Sequence, residues 1–482
     1  MSFNFPLGQT IYPVCPILDG ADFISGYAFK SNDFIDSGHP VIKIKNIQSG
    51  KVTIADSQYV STETVRKLDK FKLSDRDVLI AMTGQGSVGR VGRLSCEDGT
   101  TPYLNQRVGK FVADEEKLNI DYLYYVLSTK QYQEILFLAG SGSGQPNLSP
   151  ATIKSVEIPF APYEVQCRIS SILNAIDEKI SLNEKTNQTL EQMAQALFKS
   201  WFVDFESVKV KIAVLEAGGS QEDATLAAMT AISGKDADAL AVFEREHTEQ
   251  YAELKATAEL FPSAMQDSEL GEIPEGWTLS EIGAQIDIAG GATPSTKTPD
   301  FWDNGDIHWT TPKDLSNVKD KILLHTERKI TKAGLGKISS GLLPVNTVLM
   351  SSRAPVGYLA IAKVPVAINQ GYIAMKCNKE LSPEFVLQWC SANMPEIISR
   401  ASGTTFAEIS KKNFNPIPLV KPPLELVKNY TKQVSAIYSL IENTMRENNS
   451  LTELRDTLLP KLLSGEITLP EAEQAVSEVE NV

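Results

Sequence analysis

Little in this sequence of 482 residues suits it to metal, redox or membrane chemistry. Its five cysteines (Cys15, Cys96, Cys167, Cys377 and Cys390) are scattered, odd in number and never form C-x-x-C. The four histidines, His39, His247, His308 and His325, cluster with none of them. This argues against structural zinc and a disulfide framework, and the thiols fit a reducing cytoplasm. No apolar run reaches the length of a membrane span. The opening MSFNFPLGQTIY has neither the basic nor the apolar stretch of a secretory signal. There is no G-x-x-x-x-G-K-S/T phosphate loop and no nucleophile–base set. The carboxylate pairs Asp75/Asp77 and Asp303/Asp306 read as turn residues. Asn415-Pro416-Ile417-Pro418 lacks the second adjacent proline and the aromatic of an adenine-methyltransferase motif, and reads as a strand end. No catalytic residue and no metal site are expected.

The net charge of −14 is unfavourable for nucleic acid only if it is spread evenly. It is not: residues 206–275 carry 5 basic and 15 acidic side chains, net −10, whereas residues 276–423 carry 16 and 12, net +4. Local patches, not the total, then decide what the chain binds.

What the sequence does have is a long helix with a coiled-coil seam over 165–202. Ile169, Leu173, Ile176, Ile180, Asn183, Asn187, Leu190, Ala194 and Leu197 recur in steps of four and three, with no proline or glycine between. The pattern returns 261 residues later: Leu173 aligns with Val434, Ile176 with Ile437, Ile180 with Ile441 and Asn183 with Thr444. Asn187 then aligns with Asn448, Leu190 with Leu451, Ala194 with Arg455 and Leu197 with Leu458. Asn187 and Asn448 can set the register of a helix pair at some cost in stability. From Ile169 to Leu197 such a helix rises on the order of 40 Å, comparable with one turn of DNA, about 34–36 Å.

The flanking sequence repeats too. Strands are expected at 39–47, 76–83, 88–95 and 106–113, followed by a helix over about 121–138, a small-residue loop at 140–150 and a short strand at 154–160. NTVLMSSRAPVGYLAIA (346–362) matches RDVLIAMTGQGSVGRVGRL (76–94), AINQGYIAM (367–375) matches YLNQRVGKF (103–111), and PEFVLQWCSANMPEIISRASGTT (383–405) matches the 121–143 stretch. The chain is a tandem duplication of one unit, a mixed α/β domain followed by a long helix. Between the copies, 206–270 reads as a small acidic helical insertion on the surface, with helices at about 221–232 and 236–258 capped by Ser220 and Asp236.

Gly84-Gln85-Gly86-Ser87-Val88-Gly89 has the spacing of a dinucleotide fingerprint, which requires a helix to start there. Arg90-Val91-Gly92-Arg93-Leu94 reads as a strand instead, so the stretch is expected to be a turn between strands, with Arg90, Arg93 and, in the second copy, Arg353 free to contact phosphates or bases. Arg, Asn and Gln pair with base edges while Lys, Ser and Thr reach phosphates. Loop residues of that kind are Lys30, Ser31, Lys43, Lys45, Asn46, Thr83, Ser87, Arg90, Gln106, Arg107, Gln145 and Asn147 in the first copy. In the second they are Ser295, Lys297, Trp309, Thr310, Thr311, Lys313, Ser352, Arg353, Asn369, Gln370, Ser402 and Thr404.

SELGEIPEGW (268–277), GGATPSTKTPDFWDNGDIHWTTPKDL (290–315), VLMSSRAPVG (348–357), INQGY (368–372), LEQMAQALFKSWFVDF (190–205) and LRDTLLPKLLSGEI (454–467) together resemble the specificity subunit of type I restriction–modification systems. The resemblance covers essentially the whole chain; the acidic insertion is its one departure. It implies an α+β architecture with two target-recognition domains joined by two long antiparallel helices, with internal pseudo-two-fold symmetry. The expected bounds are 1–160 and 271–423 for those domains, 161–205 and 424–466 for the spacer helices, 206–270 for the insertion and 467–482 for an acidic tail. The resemblance further implies a non-catalytic chain that reads a bipartite sequence in double-stranded DNA. It would dock two methyltransferase subunits and restriction/translocase subunits, which bring S-adenosylmethionine, ATP and Mg; this chain would bind no cofactor itself. The readings from a different class are a coiled-coil scaffold without a nucleic-acid role, and an enzyme, either nucleotide-dependent through the 84–89 glycines or a single-chain methyltransferase.

Overall fold

The computed structural model describes residues 10–48, 50–96, 99–141, 146–316, 318–403 and 407–480. The chain divides into two compact units, residues 1–182 with 447–482 and residues 183–446.

The strands of the first unit are β1 (Val14–Pro16), β2 (Ala21–Ser25), β3 (Phe34–Ile35), β4 (His39–Ile42), β5 (Gly50–Thr53), β6 (Gln58–Val60), β7 (Val78–Ala81), β8 (Val91–Ser95), β9 (Tyr103–Leu104), β10 (Val108–Ala113) and β11 (Glu157–Pro159). Its main sheet runs β2-β10-β7-β8-β5, antiparallel except for the parallel β5–β8 pair. A second sheet runs β3-β6-β4-β9, with β4 and β9 parallel, and β1 pairs with β11. Strand β7 is apolar at every position because both its faces are covered. Val78 and Ile80 face the helices, while Leu79 and Ala81 face a core with Ile42, Ile47 and Leu104. The helix expected over 121–138 is broken in two, Ile120–Ser128 and Lys130–Gly140. Thr129 adopts an extended conformation and accepts a hydrogen bond from the Tyr132 amide, so it caps the second helix instead of continuing the first.

The second unit repeats this plan. Its strands are β12 (Met265–Gln266), β13 (Ile273–Pro274), β14 (Thr278–Glu281), β15 (Asp287–Ala289), β16 (Ile307–Thr310), β17 (Ile322–Leu323), β18 (Arg328–Ile330), β19 (Val348–Ser352), β20 (Val356–Ala362), β21 (Val366–Ile368), β22 (Tyr372–Lys376) and β23 (Pro418–Lys421). The main sheet runs β15-β22-β19-β20-β17, again with one parallel pair, β17–β20. β16 and β21 repeat the parallel pairing of β4 and β9, and β14–β23 repeats β1–β11. Two sheets with one strand order and one parallel edge are the duplication expressed as topology.

The first long helix is Tyr163–Phe202 and the second Leu424–Ser464. Each unit holds one half of each helix, and within each the halves run antiparallel. In the first unit Asp177 meets Arg455 and Lys179 meets Glu447; in the second Asn187 meets Thr444 and Glu191 meets Tyr438. The seam is buried as its spacing requires. Ile169, Leu173, Ile176, Leu451 and Leu458 enter the first core, and Ala194, Val434 and Ile441 the second, with Ile180, Leu190, Leu197 and Ile437 partly buried against them. Asn187 is fully buried; its carbonyl accepts from Thr444 and its amide lies 3.4 Å from Asp320. Asn448 is half-buried, and its backbone carbonyl accepts from Thr452.

Two expectations change here. The 206–270 stretch, expected as an insertion, forms four helices, Glu206–Glu216, Gln221–Ser233, Ala237–Glu246 and Thr248–Glu259, with Ser220 and Asp236 capping as expected. It is not confined to the surface. The buried Lys211 ammonium donates to the carbonyls of Ala258 and Phe261 at 3.2 and 2.5 Å, and Phe261 packs edge-on to Trp201 at 5.3 Å. Burial holds the Lys211 ammonium below its usual pKa. The segment expected as an acidic tail is helical over Leu469–Glu480, buries Ala472 and pairs Glu473 with Arg168 at 2.7 Å.

Candidate nucleic-acid interface

The central strand of each main sheet is joined to its neighbour by a turn. In the first unit β7 and β8 flank 82–90, where Gly84 and Gly89 have φ of +110° and +81°. A Cβ on Gly89 would also lie 2.8 Å from the backbone of Leu136 and Phe137, so only glycine fits. No helix follows, so these glycines are turn-formers and the dinucleotide reading fails on geometry. Arg90 donates to the carbonyls of Ile47 and Gly86 at 3.0 and 2.8 Å, which locks the turn. Arg107 and Asn147 lie beside it, through the Met82 amide bonded to the Arg107 carbonyl and the Thr83–Asn147 bridge; they and Lys30, Ser31, Lys45 and Gln106 elsewhere in the unit are exposed, and Thr83 and Ser87 are partly buried. Lys43 lies 3.8 Å over the Phe34 ring and donates to Gln58. Burial, with neighbouring Lys45, holds its ammonium below the usual range. Gln145 lies outside the described residues.

In the second unit β19 and β20 flank the equivalent turn. Ser351 Oγ donates to the Pro355 carbonyl at 2.7 Å and accepts from the Tyr358 amide at 2.8 Å, closing a loop with a cis Ala354–Pro355 bond. β16 and β21 bring a second loop beside it. Tyr372, from the INQGY stretch, donates to the Thr311 carbonyl at 2.5 Å and lies 3.0 Å from Thr310 Oγ1. Asp314 accepts from both the amide and the hydroxyl of Thr311 at 2.7 and 3.0 Å. The result is an open groove of about 540 Å³ that gathers Thr311, Lys313, Arg353 and Asn369 with Pro312, Ser316, Ala354 and Tyr358. Ser295, Lys297, Gln370 and Ser402 are exposed elsewhere in the unit, with Gln370 accepting from Thr293 at 2.7 Å. Thr404 lies outside the described residues.

Five expected contacts turn out to be structural. Asn46 is buried, its amide donating to Ala55 and Ser57 at 2.9 and 3.2 Å and its carbonyl accepting from Lys43 at 2.9 Å. Trp309 is buried, donates to Ala292 at 3.2 Å and packs edge-on to Trp302 at 5.0 Å. Thr310 and Ser352 are buried in strand ends. Arg93 does not belong to a contact loop. It pairs with Asp121 at 2.9 Å and Asp177 at 3.3 Å, fixing the sheet to the first long helix. Tyr358 was absent from the expected contacts although it directly follows the Val356-Gly357 step that marks the turn in both copies. Arg328, stacked 3.7 Å over Trp302, was missed as well, because cation and ring lie 26 residues apart. Asp75 and Asp77 accept from the Cys96 and Ser74 amides at 3.0 and 2.8 Å, as turn residues do.

Two copies of one domain, each offering polar loops around a strand–turn–strand, define a binding protein with two similar faces. Comparison with known proteins gives this class a family. The model of the type I restriction modification DNA specificity domain matches twice, at residues 14–192 and 274–453, and the chain belongs to that family. It is a specificity subunit with two target-recognition domains in tandem, which sets aside the enzyme and plain-scaffold readings. The chain is 32% identical over 373 residues to the type I restriction enzyme HindI specificity subunit of Haemophilus influenzae, covering 74% of this chain and 80% of that one. It is 24% identical to the putative MjaX specificity subunit of Methanocaldococcus jannaschii, over 89% of this chain and 87% of that one. Among solved structures, the S subunit of the type I restriction–modification system from M. genitalium shares the fold, with a TM-score of 0.50 at 16% identity, covering 96% of this chain and 98% of that one. No helix among the described residues is long and apolar enough to cross a membrane.

Proposed function

We propose that this specificity subunit reads a split double-stranded DNA target, one half through the domain within residues 1–160 and the other through the domain within 271–423. The paired helices, 161–205 and 424–466, serve as spacer and as docking rail for two methyltransferase subunits, with restriction/translocase subunits joining that core. S-adenosylmethionine, ATP and Mg enter through those other subunits. One observation carries the reading: the 311–314 and 351–358 loops converge on a single groove in which lysine, arginine, asparagine and tyrosine lie together. That is a mixture suited to phosphates and base edges at once. The exposed Arg107 and Asn147 beside the matching turn, with exposed Lys30 and Gln106 in the same unit, support the same role for the first domain. The test is a methylome of the host with and without the gene. Loss of one split adenine-methylated motif is expected; an unchanged methylome refutes the reading.

A further inference from the structure

Each cation of the second-unit groove has a carboxylate within ion-pair distance. Lys313 Nζ lies 2.8 and 3.2 Å from the two carboxylate oxygens of Glu327, and Arg353 lies 3.7 Å from the Glu408 carboxylate. The main chains that carry these two glutamates are held independently of the ion pairs. The Glu327 amide donates to Asp314 at 2.8 Å, the same aspartate that shapes the Thr311 loop. Glu408 exchanges two backbone hydrogen bonds with Ser402, at 2.9 and 3.0 Å, and bridges to Arg353 through its main chain. So the acids stay beside the groove whether or not the cations stay with them.

The first unit differs. Arg90 donates to two carbonyls and Lys43 to the neutral Gln58 amide. Neither has an ion-pair partner among the described residues.

Resting on the reading of the groove as a DNA contact surface, we propose that Glu327 and Glu408 are specificity-determining counter-ions. They occupy Lys313 and Arg353 in the free protein and must be displaced by phosphate. Exposed ion pairs are weak, so a correctly seated duplex, which also makes base contacts, displaces them readily. A mismatched duplex is not held in the groove by base contacts, so it stays at the rim, where the pairs remain closed and the carboxylates repel its backbone; the penalty falls mainly on that duplex. The pairs thereby lower non-specific affinity, the term that salt controls and that sequence does not.

The full chain is titrated with a random-sequence duplex and with the target duplex defined by the methylome. E327Q and E408Q each raise random-duplex affinity roughly two- to five-fold, the range an exposed ion pair spans, and narrow the ratio of target to random binding. E249Q, on the insertion helix Thr248–Glu259, controls for net charge and leaves both affinities unchanged. K313A and R353A are measured alongside. If they weaken binding while E327Q and E408Q leave random-duplex affinity unchanged or lower it, the counter-ion role is overturned and the groove reading stands. If E249Q raises affinity equally, net charge explains the effect and the role is overturned. If K313A and R353A change nothing, the groove is not a contact surface and both fall. Thermal melts confirm that the isosteric glutamine variants are folded.

Discussion

Arg455 on the second long helix donates to Asp177 on the first at 2.8 Å, and the Tyr125 hydroxyl donates to the other oxygen of the same carboxylate at 2.8 Å. One aspartate thus ties both halves of the helix pair to the helix Ile120–Ser128 of the recognition domain, with Arg93 at 3.3 Å completing its partners. The second unit solves the same problem with Glu191. It accepts from Tyr438 at 2.8 Å and Gln388 at 3.0 Å, and pairs with Lys321 at 2.8 Å. Burial, and then the Glu191 charge, push the Tyr438 phenol well above its usual pKa, so it remains a donor.

Removing one partner of such a network is costlier than removing both, because a buried charge then loses part of its compensation. Arg455→Ala should destabilise the chain by about 3 kcal/mol in urea unfolding, and adding Asp177→Asn should recover part of the loss. A single-mutant loss below about 1 kcal/mol would place the pair among weak surface bridges.

Ile176 is buried in the seam, so Ile176→Asp should cost about 4 kcal/mol or more. Ile437 is only partly buried, and Ile437→Asp should cost less. If the rail reading holds, the double variant loses co-purification with the methyltransferase subunits. A stable, fully complexed double variant would remove the helix seam from the account.

Lys313→Ala and Arg353→Ala should each lower duplex affinity and reduce the slope of log affinity against log salt by about 1 if the residue meets a phosphate. Asn46→Ala, by contrast, should lose about 1–3 kcal/mol of stability through unsatisfied buried groups and leave the salt slope unaltered. The opposite pattern would return Asn46 to the contact surface.

Asp121 has a lowered pKa although burial opposes ionisation, because Arg76, Asn174 and Arg93 together outweigh it. Its folded pKa is below its unfolded value of about 3.9. The stabilisation is therefore present above the unfolded value and is lost as the pH falls toward and through the folded one. Acid unfolding followed by circular dichroism should show a shallower loss below about pH 4 for Asp121→Asn than for the parent. Equal slopes would mean that Asp121 contributes nothing to acid sensitivity.

The helix seam, the insertion's N-caps at Ser220 and Asp236, and the tandem repeat were legible because each is a local or periodic property of the chain. Burial of polar residues was not. Asn46 sits in a string that reads as a lysine-rich loop, yet its amide closes a 3-10 turn, Ile44–Asn46, against Ala55 and Ser57. Thr310 and Trp309 lie in a strand between two loops, and only the pairing of β16 with both β18 and β21 turns them inward. Glu191 and Asp177 lie off the apolar seam positions of the first long helix. Among their partners, Tyr438, Gln388 and Arg455 are 197 to 278 residues away, beyond any local pattern.

Lys211 binds the end of the insertion to its beginning, and Phe261 roofs the Trp201 indole. A shortened chain that joins the first long helix directly to the second domain would therefore strip the cover from an aromatic cluster in which Trp201, Phe202 and Tyr430 touch edge to face. Grafting a second domain from a relative without an insertion would meet the same bare wall. The workable exchange boundary lies beyond Phe261, with the four helices kept as part of the recipient.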